Sequence, residues 1–448
     1  MLADQDPDES SPHLRPRDRE SPGRIRLLAR VKHAQVDSLP PKLNYPKSDS
    51  TRGVDDLTPH RVSFGPDLGT IDIKCAATRH RYNSYSDYSC YGPLFYLNMA
   101  THDLTTAIGL EKYLESTPYA SASIETVSGG HTGFMYRVFL KEPIKETGEK
   151  TVVIKHSLEF PAGSFGAKIE IVLSAERMDF EHEALKLVAS TSGLSTVVGV
   201  PHVHAYDPHT HTLIMSDVAP CQLLSTALKE GDDEAVVRIG HALGEFMGRF
   251  HKWSSLPEQA SVRKRFLENK ISGDDVLGIR WQLTLSAAKT YNLEREWMQG
   301  MFREQMEDAK LGGPVVCMAD FWFDNILVST TGDLRIYIVD WETARTARPE
   351  HDLAQFATAA FTLEHVHKRM PLMREFFKAY KVHMELDESY MATYAGRDML
   401  SFGVVMPWIR HRDESVKQPI AQLGLELLEA VQTGDKQALR KNPVLADM

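Results

Sequence analysis

Apolar positions keep helical time most clearly between Ala235 and His251, where Val236, Ile239, Leu243, Phe246, Met247 and Phe250 recur at helix spacing. Gly240, Gly244 and Gly248 run four apart beside them. Such a stripe predicts close approach of a neighbouring helix, against a propensity cost of about 1 kcal/mol per glycine relative to alanine. His251 ends this helix and reads as a structural or helix-dipole contact. Upstream the period shortens to that of strands. Ile124–Leu140 reads strand, glycine turn, strand, Thr151–Lys155 follows as a strand ending in a lysine, and Thr196–Val203 and Thr212–Met215 read as two more strands. Glu176–Val188 between them has helical character. Further helices are expected over 254–312, from Pro349 onward, and through Trp408 to Leu428. A first helix should start at Asp103-Leu104-Thr105-Thr106, with Leu104, Ile108, Leu110 and Leu114 as its apolar face.

Strands first and helices afterwards divide the chain. Residues 1 to about 60 are rich in Pro, Ser, Asp and Arg and poor in aromatics, and the tyrosines between 82 and 96 show no period. We therefore expect a largely disordered extension over 1–102, a nucleotide-binding lobe over 103–218, a larger helical lobe over 219–435 and a polar tail over 436–448. The fold class is α+β. The 448 residues carry a net charge of −10, which argues against general nucleic-acid binding. Cys75, Cys90, Cys221 and Cys317 form no C-x-x-C pair and read as reduced thiols of a cytoplasmic protein. No apolar run reaches membrane-spanning length, so no membrane partner is expected. No signal-peptide core is seen, and Asp4, Asp6, Asp8 and Glu9 speak against a transit peptide.

Chemistry concentrates in 315–343. Asp320 and Asn325 stand five positions apart, the Asp-x-x-x-x-Asn spacing of a kinase catalytic loop. A carboxylate there can take the proton of an acceptor hydroxyl, and the amide oxygen can hold Mg²⁺. Ile326–Val328 and Ile336–Val339 flank a turn-rich segment, and the resulting hairpin would return Asp340 to Asn325. Two hard oxygen ligands, with water and phosphate completing the shell, suit Mg²⁺. Taken singly, these residues could as well cap a turn and end a strand.

Four further elements fit a site for ATP. Ser128, Gly129, Gly130 and Gly133 lie in the glycine turn, where backbone N–H groups can approach phosphate. Lys155 ends the next strand, placed to neutralise the α/β-phosphates. Glu183 is the expected partner of that lysine, with Glu181 as the alternative. Ser216 and Val218 would present backbone groups to adenine at the strand exit. Asp352, near the start of a later helix, is expected to cap it and to anchor the catalytic loop.

The order of these parts, ending in Asp340-Trp341-Glu342, resembles the aminoglycoside phosphotransferase-like kinases over about residues 103–430. Met318-Ala319-Asp320-Phe321-Trp322 and Ile336–Glu342 are similar to the methylthioribose kinase-like group, which includes the fungal 4-hydroxytryptamine kinase. The resemblance implies a bilobal protein-kinase-like fold with a small, mainly β N-lobe and a larger helical C-lobe. It implies an ATP- and Mg²⁺-dependent phosphotransferase acting on a hydroxyl of a small metabolite; a monomer or homodimer is expected. Met318 stands where many members have His, and Asp324 where Gly is common. These departures leave a pseudokinase or nucleotide-binding scaffold as the alternative. The absence of His-Arg-Asp, Asp-Phe-Gly and Ala-Pro-Glu signals makes a protein kinase a poorer match.

Overall fold

The computed structural model describes residues 102–127, 133–159, 173–270 and 275–448, together with the backbone of His60–Ser63 (β1) and Thr70–Ile73 (β2). They fall in one compact unit, Leu57–Met448. β1 and β2 pair antiparallel, so the expected extension contains a short ladder.

The N-lobe begins with α1 (Ala107–Leu114), one residue past Thr106, whose hydroxyl accepts from Gly109 N at 3.1 Å. Its buried face is Leu110, Tyr113 and Leu114; Ile108, expected there, is 69% exposed. Leu110 and Leu114 are one helical step apart on one side, and Ile108 falls on the other. This helix covers a five-stranded antiparallel sheet of order β3-β4-β5-β8-β7. Its strands are β3 (Ser121–Thr126), β4 (Phe134–Leu140), β5 (Thr151–His156), β7 (Val203–Asp207) and β8 (Thr212–Ser216). Tyr136, Val138, Val152, Ile154 and Ile214 pack with the helix in a core of their own. Beyond β5 in sequence comes α2 (Arg177–Ser190).

The expected strand Thr196–Val203 is two strands. β6 (Val198–Gly199) pairs parallel with β12 (Ile336–Ile338), whereas β7 pairs with β8. Pro201 lies between them and lacks the N–H a continuous ladder would need. The chain leaves β8 into β9 (Cys221–Leu223), which joins β11 (Ile326–Ser329) and β12 in the sheet β6-β12-β11-β9.

The C-lobe is helical. α3 (Leu224–Glu230) leads to α4 (Asp233–Ser255), which Asp232 caps by accepting from Ala235 N at 2.8 Å. α5 (Ala260–Leu267), α6 (Leu277–Thr290) and α7 (Met298–Leu311) precede β10 (Val315–Cys317), which pairs with β13 (Arg345–Ala347). α8 (Glu350–Val366), α9 (Leu372–Tyr380), α10 (Glu388–Asp398), a π-turn at Met399–Gly403 and α11 (Glu414–Thr433) complete it. The glycine stripe of α4 faces α9, as its spacing implied. A Cβ at Gly240, Gly244 or Gly248 would lie 2.6, 2.1 or 2.9 Å from the carbonyl oxygens of Leu372, Phe376 and Tyr380.

The polar tail is corrected. Lys436–Lys441 forms α12, capped by Asp435, and Leu439, Val444 and Leu445 are buried in the main core. Three apolar side chains in a short amphipathic segment are enough to dock it. Among the described residues no helix is long and apolar enough to cross a membrane.

Candidate active site

β5 alternates its side chains, so Val152 and Ile154 enter the core under α1 while Lys155 points to the other face. Lys155 is 4% exposed. Its ammonium meets Glu181 Oε2 at 2.7 Å, Asp340 Oδ1 at 2.5 Å and Glu342 Oε2 at 3.0 Å. Burial works against its charge, but the three carboxylates prevail and hold its pKa well above the usual lysine value. Burial also pushes the Glu181 carboxyl up, with Lys155 pulling the other way. Arg177 joins the group through Glu342 Oε2 at 3.3 Å.

The expected partner of Lys155 is therefore corrected from Glu183 to Glu181. Two residues apart on a helix, these glutamates point to nearly opposite sides. Glu181 shares the buried face with Met178, Ala184, Leu185 and Val188. Glu183 faces outward and takes a bidentate pair from Arg265, 2.8 Å at both nitrogens.

Ser128, Gly129 and Gly130 lie outside the described residues. On the flanking strands Val127 N donates to Met135 O at 2.9 Å. Gly133 sits beside the lysine: a Cβ there would lie 2.9 Å from Ser157 Oγ and 3.3 Å from Lys155 Cε. At the strand exit, Ser216 N donates to His202 O at 2.8 Å and the Val218 carbonyl accepts from Cys221 Sγ at 2.9 Å. Among the described residues the Val218 N–H meets no acceptor. Asp217 between them is gripped by Arg137, at 2.7 and 3.2 Å.

β10 delivers the catalytic-loop candidate. Met318 is fully buried in the main core, so an apolar side chain there fits its surroundings. Its N–H and that of Ala319 donate to Asp352 Oδ2 and Oδ1 at 2.9 and 2.7 Å. Asp352 anchors the loop as expected, although it makes no side-chain cap to α8. His251, fully buried, holds Asp352 from behind at 3.3 Å and contacts the Tyr380 hydroxyl at 2.9 Å. Ala319 has φ +63°, a left-handed conformation that costs a side-chain-bearing residue and persists only where neighbours enforce it. Asp320 follows. Its Oδ2 accepts from Asn325 Nδ2 at 2.8 Å, and the same nitrogen donates to Asp320 O at 3.0 Å.

The hairpin works as its sequence implied. Ile326 pairs with Ile338, and Val339 N donates to Asn325 O at 2.9 Å. Asp340 then adopts φ +67° and turns its carboxylate to Lys155. The hairpin thus sets Asp340, which meets Lys155, one residue past the Val339–Asn325 backbone bond, and Asn325 in turn holds Asp320. With the Asn325 amide nitrogen spent on Asp320 and Asp340 Oδ1 on Lys155, the Asn325 amide oxygen and the second Asp340 oxygen remain as hard donors, a set that fits Mg²⁺.

Arg280 belongs to none of the motifs read from the sequence. This α6 residue is buried and donates to Asp320 Oδ1 at 3.0 Å. Its signal is a charge among Leu277, Trp281 and Thr284, the buried face of that helix.

A family profile described as "Phosphotransferase enzyme family" matches residues 165–393. 4-Hydroxytryptamine kinase of Psilocybe cyanescens is 26% identical over 341 residues, 71% of this chain and 92% of that protein. Phosphotransferase FrzJ of Cladobotryum sp is 28% identical over 175 residues, 36% of this chain and 45% of that protein's length. Among solved structures, ADP-bound aminoglycoside phosphotransferase APH(2'')-Ib is similar with a TM-score of 0.43 and 13% identity, covering 71% of this chain and 97% of its own.

Proposed function

This chain belongs to the phosphotransferase enzyme family and is a small-molecule kinase, and from that premise we propose that it moves the γ-phosphate of ATP to a hydroxyl of a small metabolite through Asp320, Asn325, Asp340 and Lys155. One observation carries the reading: the Lys155–Asp340 contact and the Asn325–Asp320 hydrogen bond are joined by the β11–β12 hairpin into a single site. Glycine-turn residues Ser128, Gly129, Gly130 and Gly133 would lie over the phosphates. Lys155, braced by Glu181, would neutralise their charge. The Ser216 carbonyl and the unengaged Val218 N–H would meet adenine.

Asn325 and Asp340 would hold Mg²⁺, which when bound spreads the negative charge of the transferring group. The chain's own task is placement. Asp320 accepts the proton of the acceptor hydroxyl as its oxygen bonds to the γ-phosphorus; the bond from that phosphorus to the β,γ-bridging oxygen breaks, and ADP leaves. A loose transition state asks little basicity of Asp320 and much orientation.

The acceptor reading rests on the relative that matches over 92% of its length, so 4-hydroxytryptamine is the first alcohol to try. Sugars and amino alcohols complete the screen. The Asp320→Asn variant should keep its thermal shift with MgATP and lose phosphorylation of the acceptor. Wild-type turnover in that variant would refute the assignment.

A further inference from the structure

Arg280 makes a set of contacts that packing alone does not require. It is 2% exposed, whereas the Asp320 side chain is 27% exposed, so the arginine stands behind the carboxylate and away from solvent. Its Nη2 donates to both Asp320 Oδ1 and Ala319 O, each at 3.0 Å. Its Nη1 donates to Gln355 Oε1 at 3.1 Å, and Gln355 Nε2 donates to the same Asp320 Oδ1 at 2.7 Å. The guanidinium lies over the Phe402 ring in the π-turn, 4.8 Å from its centroid. Ala319 is therefore held at both ends of a strained conformation, its N–H by Asp352 and its C=O by Arg280.

Burying a guanidinium is costly unless its partners are well placed, and a rigid fork loses less freedom per bond than an ammonium would. We infer that Arg280, seconded by Gln355, is a positioning residue for the phosphoryl transfer. It turns Asp320 Oδ1 inward and leaves Oδ2, steadied by Asn325, as the oxygen presented to the acceptor hydroxyl. This rests on the reading of Asp320 as the proton acceptor. Arg280 acts through Asp320 and touches neither nucleotide nor acceptor.

The test uses the full chain with Arg280→Met and Arg280→Lys, beside Asp320→Asn. ADP release from MgATP is followed with 4-hydroxytryptamine, and with water as the default acceptor. Hydrogen–deuterium exchange over residues 318–325 is followed in parallel and needs no acceptor. In Arg280→Met, kcat should fall about tenfold or more, the scale of one charged hydrogen bond, with the KM for ATP within about twofold. Exchange should rise in that loop and not across the N-lobe sheet. Arg280→Lys should recover part of kcat, since an ammonium can meet either Asp320 or Ala319. Unchanged kcat and loop exchange in Arg280→Met would overturn the inference. So would a joint fall of kcat, ATP affinity and melting temperature that lysine does not relieve, which marks a packing residue. An active Asp320→Asn variant refutes the underlying reading; an inactive one beside an active Arg280→Met refutes only the role of Arg280.

Discussion

Gly244→Ala puts two opposing effects on one methyl group. Alanine is the better helix former by about 1 kcal/mol, and Gly244 lies inside a long helix. The new Cβ, however, would stand 2.1 Å from Phe376 O, 2.8 Å from its carbonyl carbon and 2.9 Å from its Cα. Comfortable contacts between such heavy atoms begin near 3.4 Å, so α9 must retreat by roughly 1.3 Å. Backbone cannot step aside as a side-chain tip can. Overpacking of this kind costs about 1–3 kcal/mol, and the upper end applies here because Gly240 and Gly248 lock the same two helices. The net loss should be about 2 kcal/mol. For a unit of this size that lowers the melting temperature by about 3 °C. Tyr380 rides on α9 and contacts His251, which holds Asp352, so turnover should fall as well. Gly300→Ala is the control: it lies inside α7 with no atom within 4 Å of the added Cβ, and it should be neutral or stabilising. Differential scanning calorimetry of the two variants decides. If Gly244→Ala melts at or above the wild-type temperature, close helix approach is not what the stripe provides.

Glu181→Gln should lower kcat/KM for ATP about tenfold, the worth of a hydrogen bond to a buried ammonium, whereas Glu183→Gln removes an exposed pair worth at most about 1 kcal/mol of stability and should leave kinetics alone. Steady-state kinetics showing the reverse order would restore Glu183 as the lysine's partner. Burial pushes the Glu364 carboxyl up to about 7 from 4.5, with the Met370 N–H pulling it down. A raised folded-state pKa favours the protonated form, so this stabilisation is complete below about pH 4.5 and is lost as pH rises through about 7. Glu364→Gln should therefore gain melting temperature relative to wild type between pH 5 and pH 8; a constant difference across that range would contradict the burial argument.

What the sequence disclosed was whatever local chain geometry fixes. Asp320 and Asn325 sit in one short loop, and a hairpin of fixed register returns Asp340 toward Asn325, so spacing alone places three groups of the candidate site. Lys155 is set by alternation along β5. The α4 stripe names its own use, since small residues four apart on an amphipathic helix have little purpose except to admit another backbone. By contrast, Val198 and Val203 read as one strand, whereas Pro201 separates them into different sheets, and 436–448 reads as a polar tail, whereas Leu439, Val444 and Leu445 are buried. Those outcomes depend on partners far away in the chain.

Glu181, expected only as the alternative partner of Lys155, and Arg280, which no motif includes, share one feature. Glu181 occupies a position between Met178, Ala184 and Leu185 where helical period calls for an apolar side chain, and Arg280 does the same between Leu277, Trp281 and Thr284. Glu183, the expected partner, lies two residues on from Glu181 and faces outward to Arg265. A charge on the apolar face is the more informative case. Such a group must desolvate when the helix docks, and it survives there only if an opposite charge or a strong acceptor awaits it. Glu181 meets Lys155 and Arg280 meets Asp320, so each buried charge leads to a residue of the candidate site. Arg177, also buried on the α2 face, reaches Glu342 in the same way. The partner of a catalytic lysine or aspartate is thus better sought among charges that break a helix's apolar period than among those that respect its polar one.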